Sequence, residues 1–255
     1  MSHPDKVEQQ REGATLHLVL NAPPGNLLDN AMVDALRAAI DAARADAALK
    51  VVVLEGAGQH FSFGAAVQEH REGEIEAALP RFHDLFRALL DASIPLVAVV
   101  RGRCLGGGLE LAAFCNWIFA AADAELGLPE IRLGVFPPLG SLVLRERVAR
   151  PVAEALCVTG RILAADEALE LGLVDHVAED PAAAAHAWIA THLAPHSAVA
   201  LRHAMRAVRT PLRATFLRDL EIVERIYLDE VMRTADAHEG IAAFLAKRQP
   251  RWKDR

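Results

Sequence analysis

Two short runs, Val51-Val52-Val53-Leu54 and Leu96-Val97-Ala98-Val99-Val100, contain no polar residue. A segment that is apolar on both faces must be covered on both. Runs of four or five residues are too short for a buried helix and fit strands of a largely parallel sheet held between two layers. Between them, Glu74 to Asp91 has a helical pattern that ends before Pro95, where the next strand begins. Leu16, Leu18 and Leu20 alternate with other residues as a half-buried strand. Pro23-Pro24-Gly25 then breaks the chain, and a helix is expected from Asp29 or Asn30. Strand and helix therefore alternate through the first half, which predicts an α/β fold.

From Pro151 onward the chain is rich in alanine and reads as mostly helical. Leu212, Phe216, Leu220, Val223, Tyr227 and Val231 recur every three or four residues on one helical face, a stripe expected to pack against the core or a partner subunit. The expected division is a core over residues 1–195 and a helical region over 196–255. No repeat of fixed period is visible.

The longest apolar runs fall well short of the roughly 18 residues that span a bilayer, so no membrane helix is expected. The start, Met1-Ser2-His3-Pro4-Asp5-Lys6-Val7-Glu8, lacks the basic and apolar parts of an export signal, and a cytoplasmic location is expected. Cys104, Cys115 and Cys157 are odd in number and have no C-x-x-C spacing, which argues against a disulfide framework and a zinc site. No metal is expected. A net charge of −7 disfavours nonspecific nucleic-acid binding, while leaving room for a local basic patch that meets a phosphorylated ligand.

Three segments, each after an apolar strand candidate, offer what carbonyl activation needs. They are His60-Phe61-Ser62-Phe63-Gly64-Ala65-Ala66, Gly106-Gly107-Gly108-Leu109-Glu110, and Leu128-Pro129-Glu130-Ile131-Arg132-Leu133-Gly134. The triple glycine joins a strand to a helical run, so backbone amides without side-chain cover point into a cleft, at the positive end of a helix dipole. Ala65 and Gly107 are the candidate donors to a carbonyl oxygen. Glu110 lies about one turn inside the helix, and Glu130 follows a proline; such a pair is suited to activating water and protonating carbon. His60, His70 and His83 have no recognisable partner and read as structural or exposed. Glu125 reads as a solvated turn residue.

Taken together and in order, these segments resemble the crotonase, or enoyl-CoA hydratase/isomerase, superfamily over nearly the whole chain. Leu20-Asn21-Ala22-Pro23 with Asn26 is similar to its opening strand and turn, Phe61 to Ala65 to its first oxyanion loop, and Gly106 to Ala112 to its second. Thr159-Gly160-Arg161, Glu167-Ala168 and Gly172-Leu173-Val174-Asp175 resemble its downstream helical segment, and Glu239 to Phe244 with Lys247-Arg248 and Pro250 its C-terminal signature. The resemblance implies a crotonase-type spiral of β-β-α units with a C-terminal helical trimerisation region, assembled as a homotrimer or a dimer of trimers. It implies an acyl-CoA substrate and no cofactor, coenzyme A being part of the substrate. By the same likeness, the Ala65 and Gly107 amides bind the thioester oxygen, Glu110 activates water and Glu130 exchanges a proton with carbon. Both carboxylates being present favours hydration over double-bond isomerisation, and a non-catalytic scaffold would need neither.

Phe63 stands where the family usually has a small residue, Ala66 where it has aspartate, Asn116 where aspartate is frequent, and Gly140-Ser141-Leu142 where it has Gly-Gly-Thr. Phe63, Ala66, Phe136 and Pro138 are the candidate pocket residues. Phe61 to Ala65, Arg101 to Gly108 and Gly134 to Pro138 resemble the subgroup that hydrates cyclohexa-1,5-dienecarbonyl-CoA, which implies a flat ring. Water then adds at the β carbon, the two amides hold a dienolate, and a proton arrives at the far γ carbon. The alternative is a hydratase for linear, fatty-acid type enoyl chains. Arg101, Arg103, Lys247 and Arg248 read as solvated surface, with coenzyme A phosphates as their alternative partner.

Overall fold

The computed structural model describes residues 5–71 and 73–255. Residues 1–4, part of the segment read above as lacking an export signal, lie outside the described residues. Strands β1 (Val7–Glu12) and β2 (Thr15–Leu20) form an antiparallel pair, helix α1 (Asn30–Ala45) follows, and β3 (Val51–Gly56) returns parallel to β2. Asp29 caps α1 by accepting from the Met32 amide. Helix α2 (Ile75–Ala92) leads to β4 (Leu96–Val100), parallel to β3.

Residues 51–54 of β3 and the whole of β4 are apolar because side chains alternate between two cores. Val52, Leu54, Leu96, Ala98 and Val100 join the main core with α1 and α2. Val51, Val53, Val97 and Val99 turn to the other face, where Ala185, Ile189 and Leu193 cover them.

Strand β5 (Arg103–Leu105) then leaves the large sheet and opens into α3 (Gly107–Phe114). β6 (Trp117–Ala121) goes back to pair with β4, and β7 (Glu125–Gly127) pairs with β5. This shuttling between sheets is the spiral expected from the motifs. It continues through α4 (Pro138–Val143), α5 (Arg150–Thr159), β8 (Ile162–Ala164), α6 (Ala165–Glu170), β9 (His176–Ala178) and α7 (Pro181–His192). The result is a six-stranded sheet ordered β1-β2-β3-β4-β6-β9 and a three-stranded sheet ordered β5-β7-β8. Glu125 sits on β7 rather than in a turn, exposed and paired with Arg103.

Helices α8 (Ala198–Val208), α9 (Thr210–Arg225) and α10 (Ala235–Leu245) complete the chain. Phe216 and Leu220 of the α9 stripe enter the main core. α10 lies against the 3-10 turn Pro129–Leu133 so closely that a β-carbon on Gly240 would stand 2.0 Å from the Leu133 carbonyl oxygen. Among the described residues, no helix is long and apolar enough to cross a membrane.

Asn26 fixes the first site loop. Its side chain is fully buried, accepts from the Ala22 amide at 3.0 Å, and donates to the carbonyls of Ala57, His60 and Phe61 at 2.9, 2.8 and 3.2 Å. Asn26→Ala leaves these buried groups unpaired and is expected to lower unfolding free energy by about 2–4 kcal/mol. Urea unfolding checks this; a change under about 0.5 kcal/mol, the size of an ordinary surface substitution, would sink it.

Candidate active site

The loop after β3 and the turn after β5 are brought together by backbone bonds. Ser62 N–H donates to Arg103 O and Leu105 N–H to Ser62 O, while Ser62 Oγ donates to Asn26 O and accepts from the Gly64 amide. The third glycine makes this possible, since a β-carbon on Gly108 would lie 2.7 Å from that of Ser62. Gly106 adopts φ 53° and ψ −131°, a conformation open to glycine, and this aims the first amide of α3 inward. Ala65 N lies 3.3 Å from where a Gly107 β-carbon would be, so the two candidate amides are neighbours. Among the described residues, neither N–H donates to a protein acceptor.

Both amides face a cavity of about 410 Å³. Its walls are largely hydrocarbon, with Leu79, Phe82, Val135, Phe136 and Ile241 among them, and Glu110 and Glu130 both reach it. Glu110 is buried, and its Oε1 accepts from the Gly140 amide at 2.7 Å. Burial pushes its pKa up to about 7, against the lowering pull of the Gly140 and Leu139 amides. Glu130 sits in the turn over α10. Burial, and then the charge of Glu110, raise it well above the ordinary carboxylate range. One Glu130 oxygen, Oε2, is buried with no protein partner among the described residues, and the other, Oε1, is 2.8 Å from where a β-carbon on Gly106 would stand. The carboxylates thus titrate as an interacting pair beside two unpaired amides. When the pair holds one proton, it rests on Glu130 and leaves Glu110 ionised.

Of the four pocket residues expected from the sequence, Phe63, Phe136 and Pro138 line the cavity. Ala66 does not. It is buried behind the wall, and its carbonyl holds the Nδ1 of His70 at 3.2 Å. The local 3-10 turn Val67–His70 projects His70 forward in its place, so His70, read as structural or exposed, is a wall residue. Tyr227 has a second role. The stripe on α9 places it in the core, and it is indeed 1% exposed, but it also borders the cavity. It stands at the start of a π turn over Ile226–Glu230. A lone tyrosine in an otherwise hydrocarbon stripe was the available signal.

The basic residues divide. Arg101 pairs with Asp180 on the surface. Arg103, paired with Glu125, and Arg248, paired with Glu239, border the cavity, together with Arg132. Phe244, half exposed on α10, also borders it.

Residues 10–255 match the family described as enoyl-CoA hydratase/isomerase. A cyclohexa-1,5-dienecarbonyl-CoA hydratase of Thauera aromatica is 45% identical over 254 residues, covering 100% of this chain and 98% of the relative. A 2,3-dehydroadipyl-CoA hydratase of Escherichia coli is 35% identical, covering 96% and 97%. Among solved structures, a carnitinyl-CoA hydratase from Mycobacterium avium superposes with a TM-score of 0.88 at 28% identity, covering 99% of this chain and 100% of that one.

Proposed function

This chain belongs to the enoyl-CoA hydratase/isomerase family, and from that membership and the paired carboxylates we infer that it adds water to a conjugated acyl-CoA thioester, with cyclohexa-1,5-dienecarbonyl-CoA as the substrate. The observation that carries the reading is the juxtaposition of two unpaired amides with an unequal carboxyl pair in one chamber. The thioester oxygen lies between the Ala65 and Gly107 N–H groups, which take up charge as water attacks; each such donor contributes about 3 kcal/mol in a dry site. Ionised Glu110, held by Gly140, removes a proton from water. Protonated Glu130 supplies the proton that ends on carbon. Coenzyme A enters as part of the substrate, and Arg103 and Arg248 at the cavity meet its phosphates.

The ring is favoured by the 45% identity to the Thauera enzyme and by the aromatic rings of Phe63, Phe82, Phe136 and Tyr227 around a cavity of about 410 Å³. We further propose a homotrimer or dimer of trimers formed through the region 196–255, where Val199 and Val208 are 58% and 77% exposed. Purified protein should hydrate cyclohexa-1,5-dienecarbonyl-CoA with a kcat/KM at least about tenfold above that for crotonyl-CoA, a difference of about 1.4 kcal/mol in transition-state binding. Preference for crotonyl-CoA would overturn the ring. A monomeric sedimentation mass would overturn the assembly.

A further inference from the structure

One wall of the main cavity is only a single side chain thick. Ala65, His70, Leu79 and Phe82 border the cavity of about 410 Å³, and the same four border a second cavity of about 30 Å³ whose far side includes Leu28, Val33 and Ala78. Ala65 is small, and His70 is tethered to the Ala66 carbonyl. The removable bulk of the partition is therefore Leu79 and Phe82, three residues apart on one face of α2.

Phe82 stands at the carbonyl end. A β-carbon on Gly107 would lie 3.2 Å from Phe82 Cζ and 3.3 Å from the Ala65 nitrogen, so the tip of the ring sits beside both candidate oxyanion amides. An acyl chain that leaves the carbonyl toward α2 meets this ring within its first bonds.

The ring is also held in place. It packs edge-on against Phe86 with centroids 5.1 Å apart, Phe86 packs edge-on against Phe114 at 5.2 Å, and Phe114 packs against Phe216 at 5.6 Å. All four are buried, and the row runs from the cavity through α3, the helix that carries Glu110, to α9. A ring at the end of such a row cannot swing aside without disturbing its neighbours in a close-packed interior. A wall that does not yield selects by shape.

Resting on the hydratase reading above, we propose that Phe82 is a specificity-determining residue that stops the acyl group, restricting substrates to a ring or a short chain by closing the main cavity against the one behind it. Reducing the ring to a methyl group joins the two spaces and opens a path toward Val33 of α1 for a longer linear chain. Both carboxylates and both amides stay in place, so the longer chain undergoes the same addition of water.

Wild type should hydrate trans-dec-2-enoyl-CoA with a kcat/KM at least about tenfold below that for crotonyl-CoA. In Phe82→Ala this decenoyl to crotonyl ratio is expected to rise at least about tenfold, mainly through a lower KM for the long chain. Adding Ala78→Phe places a ring one turn away on the same face of α2, in the second cavity, and should return the ratio toward its wild-type value. A merely structural role would lower activity on both chains alike and would not be reversed by filling that cavity. Wild type that accepts both chains equally, or a ratio unmoved in Phe82→Ala, overturns the proposal. Where that variant does not fold, Phe82→Leu keeps more of the buried hydrocarbon and must move the ratio in the same direction, or the proposal fails. Calorimetric binding of butyryl-CoA and decanoyl-CoA, which needs no turnover, should show the same shift in relative affinity. Wild type inert toward cyclohexa-1,5-dienecarbonyl-CoA, with a ratio that moves as stated, defeats the ring reading alone. Ring hydration with an unmoved ratio defeats this proposal alone.

Discussion

Glu110→Gln is expected to lower kcat for hydration by about 10³-fold while leaving KM within a few fold, because glutamine accepts the Gly140 bond yet cannot take a proton from water. Steady-state kinetics on the acyl-CoA substrate checks this. A double-bond isomerase would keep much of its activity, since it needs one carboxylate to carry a proton between carbons; retention within tenfold would therefore replace hydration with isomerisation. The same variant should be more stable than wild type in mildly alkaline solution. Glu110 titrates at about 7 in the fold against 4.5 for the ordinary side chain, so the native state binds the proton more tightly than the unfolded chain. Its favourable contribution is complete below 4.5 and is lost as pH rises through about 7. Removing the ionisable group should raise the melting temperature above pH 7 and leave it nearly unchanged below 4.5. A variant that is inactive and also destabilised above pH 7 would mean that Glu110 holds structure rather than reacts.

Glu130→Gln is expected to lower kcat by a similar factor, about 10²–10⁴-fold, for the complementary reason that no proton reaches carbon. The pH profile separates the two. In wild type the rate should rise as Glu110 ionises near 7 and fall where Glu130 loses its proton, which burial and the charge of Glu110 delay to higher pH. With an amide at 130 the acid limb near 7 should stay in place, because Glu130 is already uncharged while Glu110 titrates, and the alkaline fall should disappear. An alkaline fall that persists in this variant would show that Glu130 does not set it. Hydrogen exchange into substrate from deuterated water gives a second measure, and it should stop in this variant if Glu130 is the acid that supplies carbon.

Much of the site was legible along the chain because its parts are local. Gly106, Gly107 and Glu110 fall on one strand-to-helix turn, and Pro129 and Glu130 start another, so the order of segments pointed to the residues that the fold gathers at one cavity. Ala66 failed as a wall residue because one 3-10 turn decides whether it or His70 faces inward. Tyr227 packs in the core as its stripe implies, and that it also borders the cavity depends on how the C-terminal segment packs against the site loops.

The sequence by itself determined the alternation of strands and helices, the two-sided burial of β3 and β4, and which residues are candidates for the chemistry, since hydrophobic period, glycine turns and carboxylates are properties of neighbouring residues. Only the tertiary structure decided what those residues become. Glu110 and Glu130 are ordinary acids in the chain, and their shifted protonation follows from water being excluded around both, one near the charge of the other. Tyr227, 117 positions beyond Glu110 in the sequence, reaches the same chamber through the C-terminal helices that close over it. Burial and the strength of an electric field depend on distances in space, and no local pattern encodes them.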